Sequence, residues 1–401
     1  MCEVLVVTER FWPEDFIIND LAAELAARGA GVTVLTQQPS YPQGRLFQGY
    51  RNRLLSRENW RGVRILRFRT VLGYRDSLPR KLCNYLWFAL FGALVARFRL
   101  PRYDLVLIYQ TGPLTMAVPG IVAAKARRKP VAIWTQDVWP DSVYAYGFRR
   151  TRLLARGLDA FVGWVYAKAD AIMISCRGFS DILGRYTPKP LAYTPNWPLA
   201  PYRPAPVPAR APGVPVFLFA GNIGKVQNLE NVLQGFARAC RAEPGFARLR
   251  IVGDGSALDG LREQAAMAGV PVEFPGRRPA QDMGEEYDQA DFLVLSLADE
   301  PVLRLTVPAK FQMYLSVGKP VLCAAGGEVS RQVRDGALGV VTDPRDPGDI
   351  ARGFLAMRAA PPAQVAQWSA NAAAALARDF DRNTIIGSIQ QTLERLLGEG
   401  G

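Results

Sequence analysis

Short apolar runs of strand length alternate with helix-length segments along this chain, and the alternation occurs twice, once on each side of a proline-rich break. In the first half VLVVTE leads to a helix through DLAAELAARG, then GVTVLT, VRILRFRT, a long helix near 80–99, DLVLIYQ, a helix through MAVPGIVAAKARR, PVAIWTQD, a helix near 152–168 and AIMIS. The second half runs VFLFAGN, a helix from about 228, LRIVGDG, a helix from 257, VEFPG, a helix from 281, DFLVLSL, a helix from 308, KPVLCA and LGVVTD. Such order demands right-handed crossovers and parallel sheets. The break, residues 195–215, has eight prolines in twenty-one positions, which removes backbone donors and favours extended chain.

A length of 401 residues suits two domains, each able to bury its own core. The expectation is an α/β protein with two doubly wound, Rossmann-like domains facing across a cleft, at residues 1–194 and 216–377, joined by a linker at 195–215. Ligands of such folds sit at the carboxyl ends of the strands. In the tail, 378–401, Ile385, Ile389, Leu393 and Leu397 share a helical stripe expected to pack back across the domain junction.

The chain has no histidine. That excludes a Ser-His-Asp triad, a histidine base and a histidine-containing zinc site, so proton traffic must run through carboxylates, Tyr, Lys, substrate groups or water. Five scattered cysteines without a CxxC pair read as reduced and mostly packed. The opening residues carry no basic segment ahead of an apolar stretch, so no signal peptide is expected, and the most apolar run, 82–96, falls short of the ~20 residues that span a bilayer. A soluble or peripheral protein is expected.

The formal charge of +13 is concentrated. Residues 45–102 contain fourteen Lys or Arg against Glu58 and Asp76, a net +12. In LPRKLCNYLWFALFGALVARFRLPR an apolar helix is bracketed by Arg80, Lys81, Arg97, Arg99 and Arg102. Such a helix can lie at an anionic membrane surface, where each basic residue contributes about 1 kcal/mol. A buried domain helix with a solvated basic rim is the simpler alternative. A nucleic-acid partner is not expected, since the wound halves contain no recognised nucleic-acid module.

Four motifs can bear chemistry. In TVPAKFQMYLSVGKP, Thr306 can cap a helix that begins at Pro308 and stops at Gly318, with Lys310 in its first turn, a ready place for a diphosphate. In FAGNIGKVQN, Gly221 and Gly224 admit close approach of a ligand, while Asn222, Lys225 and Gln227 offer donors. TQDVWPDS and ERFWPE place carboxylates, Asp137 and Glu14 among them, at strand ends. Each motif taken alone is also explained by a capped helix or a tight turn.

Taken together with IINDLAAELAARG, SYPQGRLFQGY, YTPNW, RLRIVGDG, FPGRRP and ADFLVLSL, these motifs run in order over nearly the whole chain. The chain resembles the retaining family-four glycosyltransferases of the GT-B fold, especially bacterial O-antigen, capsule and exopolysaccharide transferases such as L-fucosamine transferases. The resemblance implies sugar transfer from a nucleotide sugar, UDP-linked by the family's weight, with no obligatory metal or cofactor. It puts the donor on the second domain and a polyprenyl-diphosphate-linked saccharide acceptor on the first, at the cytoplasmic face of the membrane.

Carried over residue by residue, it implies Asp137 and Lys310 as catalytic. Donor contacts would come from Gly221, Asn222, Gly224, Lys225, Gln227, Arg277, Glu300, Arg304, Thr306, Val307 and Glu328, and acceptor contacts from Trp12, Glu14, Asn19 and Tyr41. There are departures. Asn222 and Gln227 stand where many members have Arg and Lys, no E-x7-E pair is present, Met313 replaces a common Glu, and Gln136 takes the place of a first-domain His. A sugar-nucleotide epimerase of the same plan, or a non-catalytic basic homologue that binds a membrane or nucleic acid, are the rival readings.

Overall fold

The computed structural model describes residues 2–74, 77–145, 150–199, 202, 213–279 and 282–398. Most of the proline-rich linker, 200–201 and 203–212, lies outside the described residues. Chain contacts divide the protein into two compact units, Met1–Pro195 with Asn383–Gly401, and Asn196–Arg382.

The first unit is built on an eight-stranded sheet. Its strands are β1 (Glu3–Val7), β2 (Gly31–Gln37), β3 (Leu55–Trp60), β4 (Val63–Phe68), β5 (Leu105–Gln110), β6 (Val131–Thr135), β7 (Ala171–Ile174) and β8 (Leu191–Tyr193), in the order β3-β4-β2-β1-β5-β6-β7-β8. All ladders are parallel except β3 with β4. Strands β5, β6 and β7 are buried at every position, as parallel strands covered on both faces must be. Helix α1 (Ile17–Ala27) buries Ile17, Leu21 and Leu25, one i, i+4 stripe.

The second unit has β9 (Val216–Ala220), β10 (Arg248–Val252), β11 (Val272–Gly276), β12 (Phe292–Ser296), β13 (Val321–Ala324) and β14 (Gly339–Thr342), ordered β11-β10-β9-β12-β13-β14 and wholly parallel. That is the Rossmann strand order, with the chain reversing direction between β9 and β12. The first unit has the same reversal between β1 and β5. Phe217, Phe236, Phe292 and Phe354 meet in the core under the second sheet.

Some boundaries differ from the sequence reading. The antiparallel edge strand β3 was not expected, because LSRENW is polar and only half-buried. The last helix, Arg382–Gly398, belongs to the first unit and buries Ile385, Ile389 and Leu393, with Leu396 rather than Leu397 completing the stripe. Its Gln390 accepts a hydrogen bond from Arg28 at 3.2 Å. The cysteines are free, but Cys83 is exposed, not packed. Among the described residues no helix is long and apolar enough to cross a membrane.

Candidate active site

Both sheets place their loops of interest at the carboxyl ends flanking the reversal point, where a doubly wound sheet opens a crevice. In the second unit the loop after β9 is fixed by backbone on backbone. The Ile223 N–H donates to Asp254 O at 2.9 Å, the Gly221 N–H to Val252 O at 2.9 Å and the Ala257 N–H to Ile223 O at 3.0 Å. The contact is so close that a Cβ on Gly253 would lie 1.8 Å from Gly221 O, and Gly253 holds φ +148 besides. Gly253→Ala is therefore expected to destabilise the unit by about 2–4 kcal/mol through strain and overpacking. Chemical denaturation checks it, and an unchanged midpoint would refute the close approach.

Helix α10 (Ala309–Val317) leaves this loop its lysine. Lys310 Nζ donates to Gln227 Oε1 at 2.6 Å, lies 3.7 Å from the Phe219 ring centre and would sit 3.2 Å from a Cβ at Gly221. Only glycine leaves the ammonium this near the backbone. Burial pushes the Lys310 pKa down to about 7. Tyr314, one turn on, accepts from the Ala220 N–H at 3.0 Å and donates to Val294 O at 3.2 Å, tying α10 to β9 and β12. The helix does stop at Gly318, in the left-handed conformation. Its start differs from the expectation. Pro308 is the N-cap residue, and the Thr306 hydroxyl instead donates to Leu303 O at 2.8 Å, closing the preceding 3-10 turn.

Arg304 lies in that 3-10 turn and is gripped by Asp299, Nε to Oδ1 at 2.6 Å and Nη2 to Oδ2 at 2.7 Å, which leaves its Nη1 outside the pair. Arg345 reaches the same carboxylate at 3.3 Å. The hydrogen bond from Arg304 holds the Asp299 pKa below the usual carboxylate range. Gly326 and Gly327, at the start of α11 (Gly327–Asp335), lie against Arg304. A Cβ on Gly327 would come 1.8 Å from Arg304 O. Glu328 follows, buried and accepting from Gln332 at 3.3 Å. Asn222, Lys225, Arg277 and Glu300 are exposed on the loops at this end, Gln227 is half-buried on Lys310, and Val307 is buried.

In the first unit the loop after β1 carries a buried ionic cluster. Arg10 Nη2 lies 3.0 Å from Glu9 Oε1, and its guanidinium sits between the rings of Tyr41 and Tyr74, at 5.1 and 5.2 Å. Burial opposes the Arg10 charge, yet Glu9 and Glu14 hold its pKa above the ordinary guanidinium value. Glu9 also accepts from Gln37 and Asn84, both at 3.2 Å. Glu14 is buried and accepts from the backbone N–H groups of Phe11, Ser40 and Tyr41 at 3.2, 2.8 and 2.7 Å. Asn19 bridges Glu14 O and the Trp12 N–H at 2.6 and 2.9 Å. Glu14 thus clamps two loops together and Asn19 ties the first of them to α1, while Trp12 and Tyr41 are the exposed members of this set. Trp12 stacks on Trp60 with ring centres 4.9 Å apart.

Asp137 follows β6. Burial raises its pKa to about 7, against the lowering influence of the neighbouring Ser142 side chain, whose hydroxyl donates to Val138 O at 2.6 Å, and of the Val138 N–H. It lies in the first unit, and Lys310 in the second. Sequence reasoning missed Asp299 as the partner of Arg304, although its place at the end of β12 was visible. It also missed Gln37 and Asn84 as partners of Glu9, for which Asn84 interrupting an apolar helix was the available signal. Among the described residues no three His, Cys, Asp or Glu side chains are grouped to hold a metal ion.

Comparison with known proteins bears on this geometry. Residues 17–197 match the family model of a glycosyl transferase 4-like domain, and residues 214–359 match that of glycosyl transferases group 1. The chain belongs to the group 1 glycosyltransferases. Its two Rossmann-like units have the GT-B fold. It is similar to the probable glycosyltransferase WbjE of Pseudomonas aeruginosa, 26% identical over 231 residues, which cover 54% of this chain and 56% of WbjE. That match thus spans about half the length of the curated relative. The sucrose-phosphate synthase of Thermosynechococcus elongatus has a similar structure, with TM-score 0.71, 16% identity and all of both chains covered. Anabaena HepE, solved with UDP and glucose, superposes with TM-score 0.68 at 16% identity, over 98% of this glycosyltransferase and 100% of HepE.

Proposed function

We propose that this glycosyltransferase moves a sugar, of N-acetylated amino or deoxyamino type, from a UDP-linked donor to a polyprenyl-diphosphate-linked saccharide, with retention at the anomeric carbon. The observation that carries the reading is Lys310, a partly buried ammonium held against the glycine loop at the reversal point of the second sheet. A departing nucleoside diphosphate develops negative charge, and a fixed cation in a low-dielectric setting meets it without reorganising. The proposed helpers are Lys225 and the free Nη1 edge of Arg304, oriented by Asp299. Asn222, Gln227, Thr306 and Val307 would complete the donor site, Glu300 and Glu328 would hold sugar or ribose hydroxyls, and Arg277 would lie by the base.

Transfer on the front face needs no histidine. The leaving phosphate oxygen takes the acceptor hydroxyl proton as the new glycosidic bond forms, and Asp137 orients that hydroxyl. Trp12 and Tyr41 supply exposed aromatic surface for an acceptor sugar, while Glu14 and Asn19 hold their loops. A role in surface polysaccharide assembly at the inner face of the cytoplasmic membrane follows from a lipid-linked acceptor and from the basic stretch at 45–102. The similarity to HepE, solved with UDP and glucose, supports the donor class.

The test is a panel of nucleotide sugars offered with and without lipid-linked acceptor, with products read by mass spectrometry. A glycosylated lipid with free UDP is the expected product. An altered nucleotide sugar formed without acceptor would establish an epimerase, and no binding of any nucleoside diphosphate would end the catalytic reading.

A further inference from the structure

Helix α2 (Leu78–Phe98) buries Asn84, Phe88, Ala89, Gly92, Val95 and Ala96. Its outward half carries Leu78, Leu82, Leu86, Leu90, Leu94 and Phe98, each at least 41% exposed. A spacing of four winds these six side chains across the solvent face from one edge of the helix to the other. Between 82 and 96 no side chain is charged, whereas Arg80 and Lys81 stand at one end and Arg97, Arg99 and Arg102 at the other. A helix of this length runs about 30 Å, roughly twice the hydrocarbon depth of one leaflet, so it cannot stand upright in a leaflet with both ends among headgroups. It can lie flat, leucines down and both basic ends at headgroup level.

A cavity of about 390 Å³ opens at the N-terminal end of this face, with Gly44, Arg45, Leu72, Gly73 and Arg80 in its walls. Its two loops are joined by the Gly73 N–H donating to Gly44 O at 2.9 Å, and both glycines have positive φ, 71 and 69. A Cβ on Gly73 would come 2.8 Å from Arg80 Nη1, so glycine there lets the guanidinium lie against the backbone. Among the described residues neither Arg45 nor Arg80 has an acidic partner. Two unpaired guanidiniums in a concave site, beside an exposed apolar face, match one ligand chemistry: a phosphate-headed lipid, each fork taking two phosphate oxygens.

We propose that this cavity binds the diphosphate of the acceptor's lipid carrier, with the hydrocarbon chain running out over the α2 leucines. The inference rests on the lipid-linked acceptor proposed above. It is tested by binding alone, with no donor present. Full-length protein is titrated with phosphatidylcholine vesicles containing a polyprenyl diphosphate, and with vesicles given the same surface charge by phosphatidylglycerol.

The wild type is expected to prefer the diphosphate vesicles, and R45A/R80A to lose about tenfold on them while staying within about threefold of wild type on phosphatidylglycerol. L86E/L90E, at exposed positions, is expected to weaken binding to both. Equal loss by R45A/R80A on both vesicles would reduce the arginines to general charge and overturn the diphosphate site. Unchanged binding of R45A/R80A to both, or no vesicle binding by the wild type, would also overturn it. The donor panel is read separately, so transferase activity surviving such a result would leave the catalytic reading standing.

Discussion

Lys310→Met is expected to lower kcat/KM for the nucleotide-sugar donor by about 10²–10³, the usual cost of removing one preorganised charge-stabilising group. The same change is expected to preserve or raise thermal stability. The two effects separate because the lysine is an electrostatic liability to the free fold. Burial lowers its pKa from 10.5 to about 7, while in the unfolded chain it keeps the higher value. Between these values the unfolded state binds more protons, so stability from this group rises as pH rises from about 7 toward 10.5. Removing the ammonium removes that penalty, which is largest at and below pH 7.

Donor affinity runs the other way. A diphosphate favours the charged lysine, so binding takes up a proton near neutrality and affinity falls as pH climbs above 7. Calorimetry with UDP in two buffers of different ionisation heat measures the uptake. A Lys310→Met protein that kept its donor kcat/KM, or bound UDP with undiminished proton uptake, would remove Lys310 from the site.

Much of the fold was legible because parallel strands buried on both faces must be continuous apolar runs, and β5, β6, β9 and β12 are such runs in the sequence. Strand β3 was not, since an edge strand paired on one side has no need of apolar alternation and LSRENW has none. Glycines at the strand ends of the second unit were visible in the sequence as room for a ligand, but the approach seen is of one loop's backbone on another. Close backbone approach selects glycine at Gly253 and Gly255, after β10, where they meet Gly221 and Ile223 of the loop after β9.

Polar partnerships resisted reading. Asn84 and Glu9 meet across 75 positions, and Gln227 and Lys310 across 83. No local pattern encodes such pairs. Glu14 illustrates the ambiguity of a carboxylate at a strand end: three backbone N–H groups consume it as a clamp, so its type and place suggested chemistry that its hydrogen bonds assign to structure.

Asp137 has the same type and place and a different environment, and its substitution separates the two roles. Asp137→Asn is expected to cut kcat by about 10²–10⁴, the range for a group that handles a proton or orients the reacting hydroxyl, with donor KM little changed. Burial raises its pKa from 3.8 to about 7, so between those values the folded state binds more protons and stability from this group falls as pH rises toward 7. Asparagine removes a charge that burial disfavours, and the variant is expected to melt no lower than wild type above pH 7. Burial raises the Glu14 pKa as well, but three backbone N–H groups depend on that side chain, so Glu14→Ala is expected to lower stability where Asp137→Asn does not.

If the ionised form orients the acceptor, activity rises as pH passes through about 7 on the acid side. Lys310 sets the fall on the alkaline side, giving a narrow bell centred near neutrality. Ser142→Ala sharpens the test. The Ser142 side chain lies beside Asp137 and favours its carboxylate, while its hydroxyl donates to Val138 O at 2.6 Å, so its loss is expected to move the acid limb, and only the acid limb, to higher pH. An acid limb that stayed in place in Ser142→Ala and persisted in the residual activity of Asp137→Asn would assign that titration to another group.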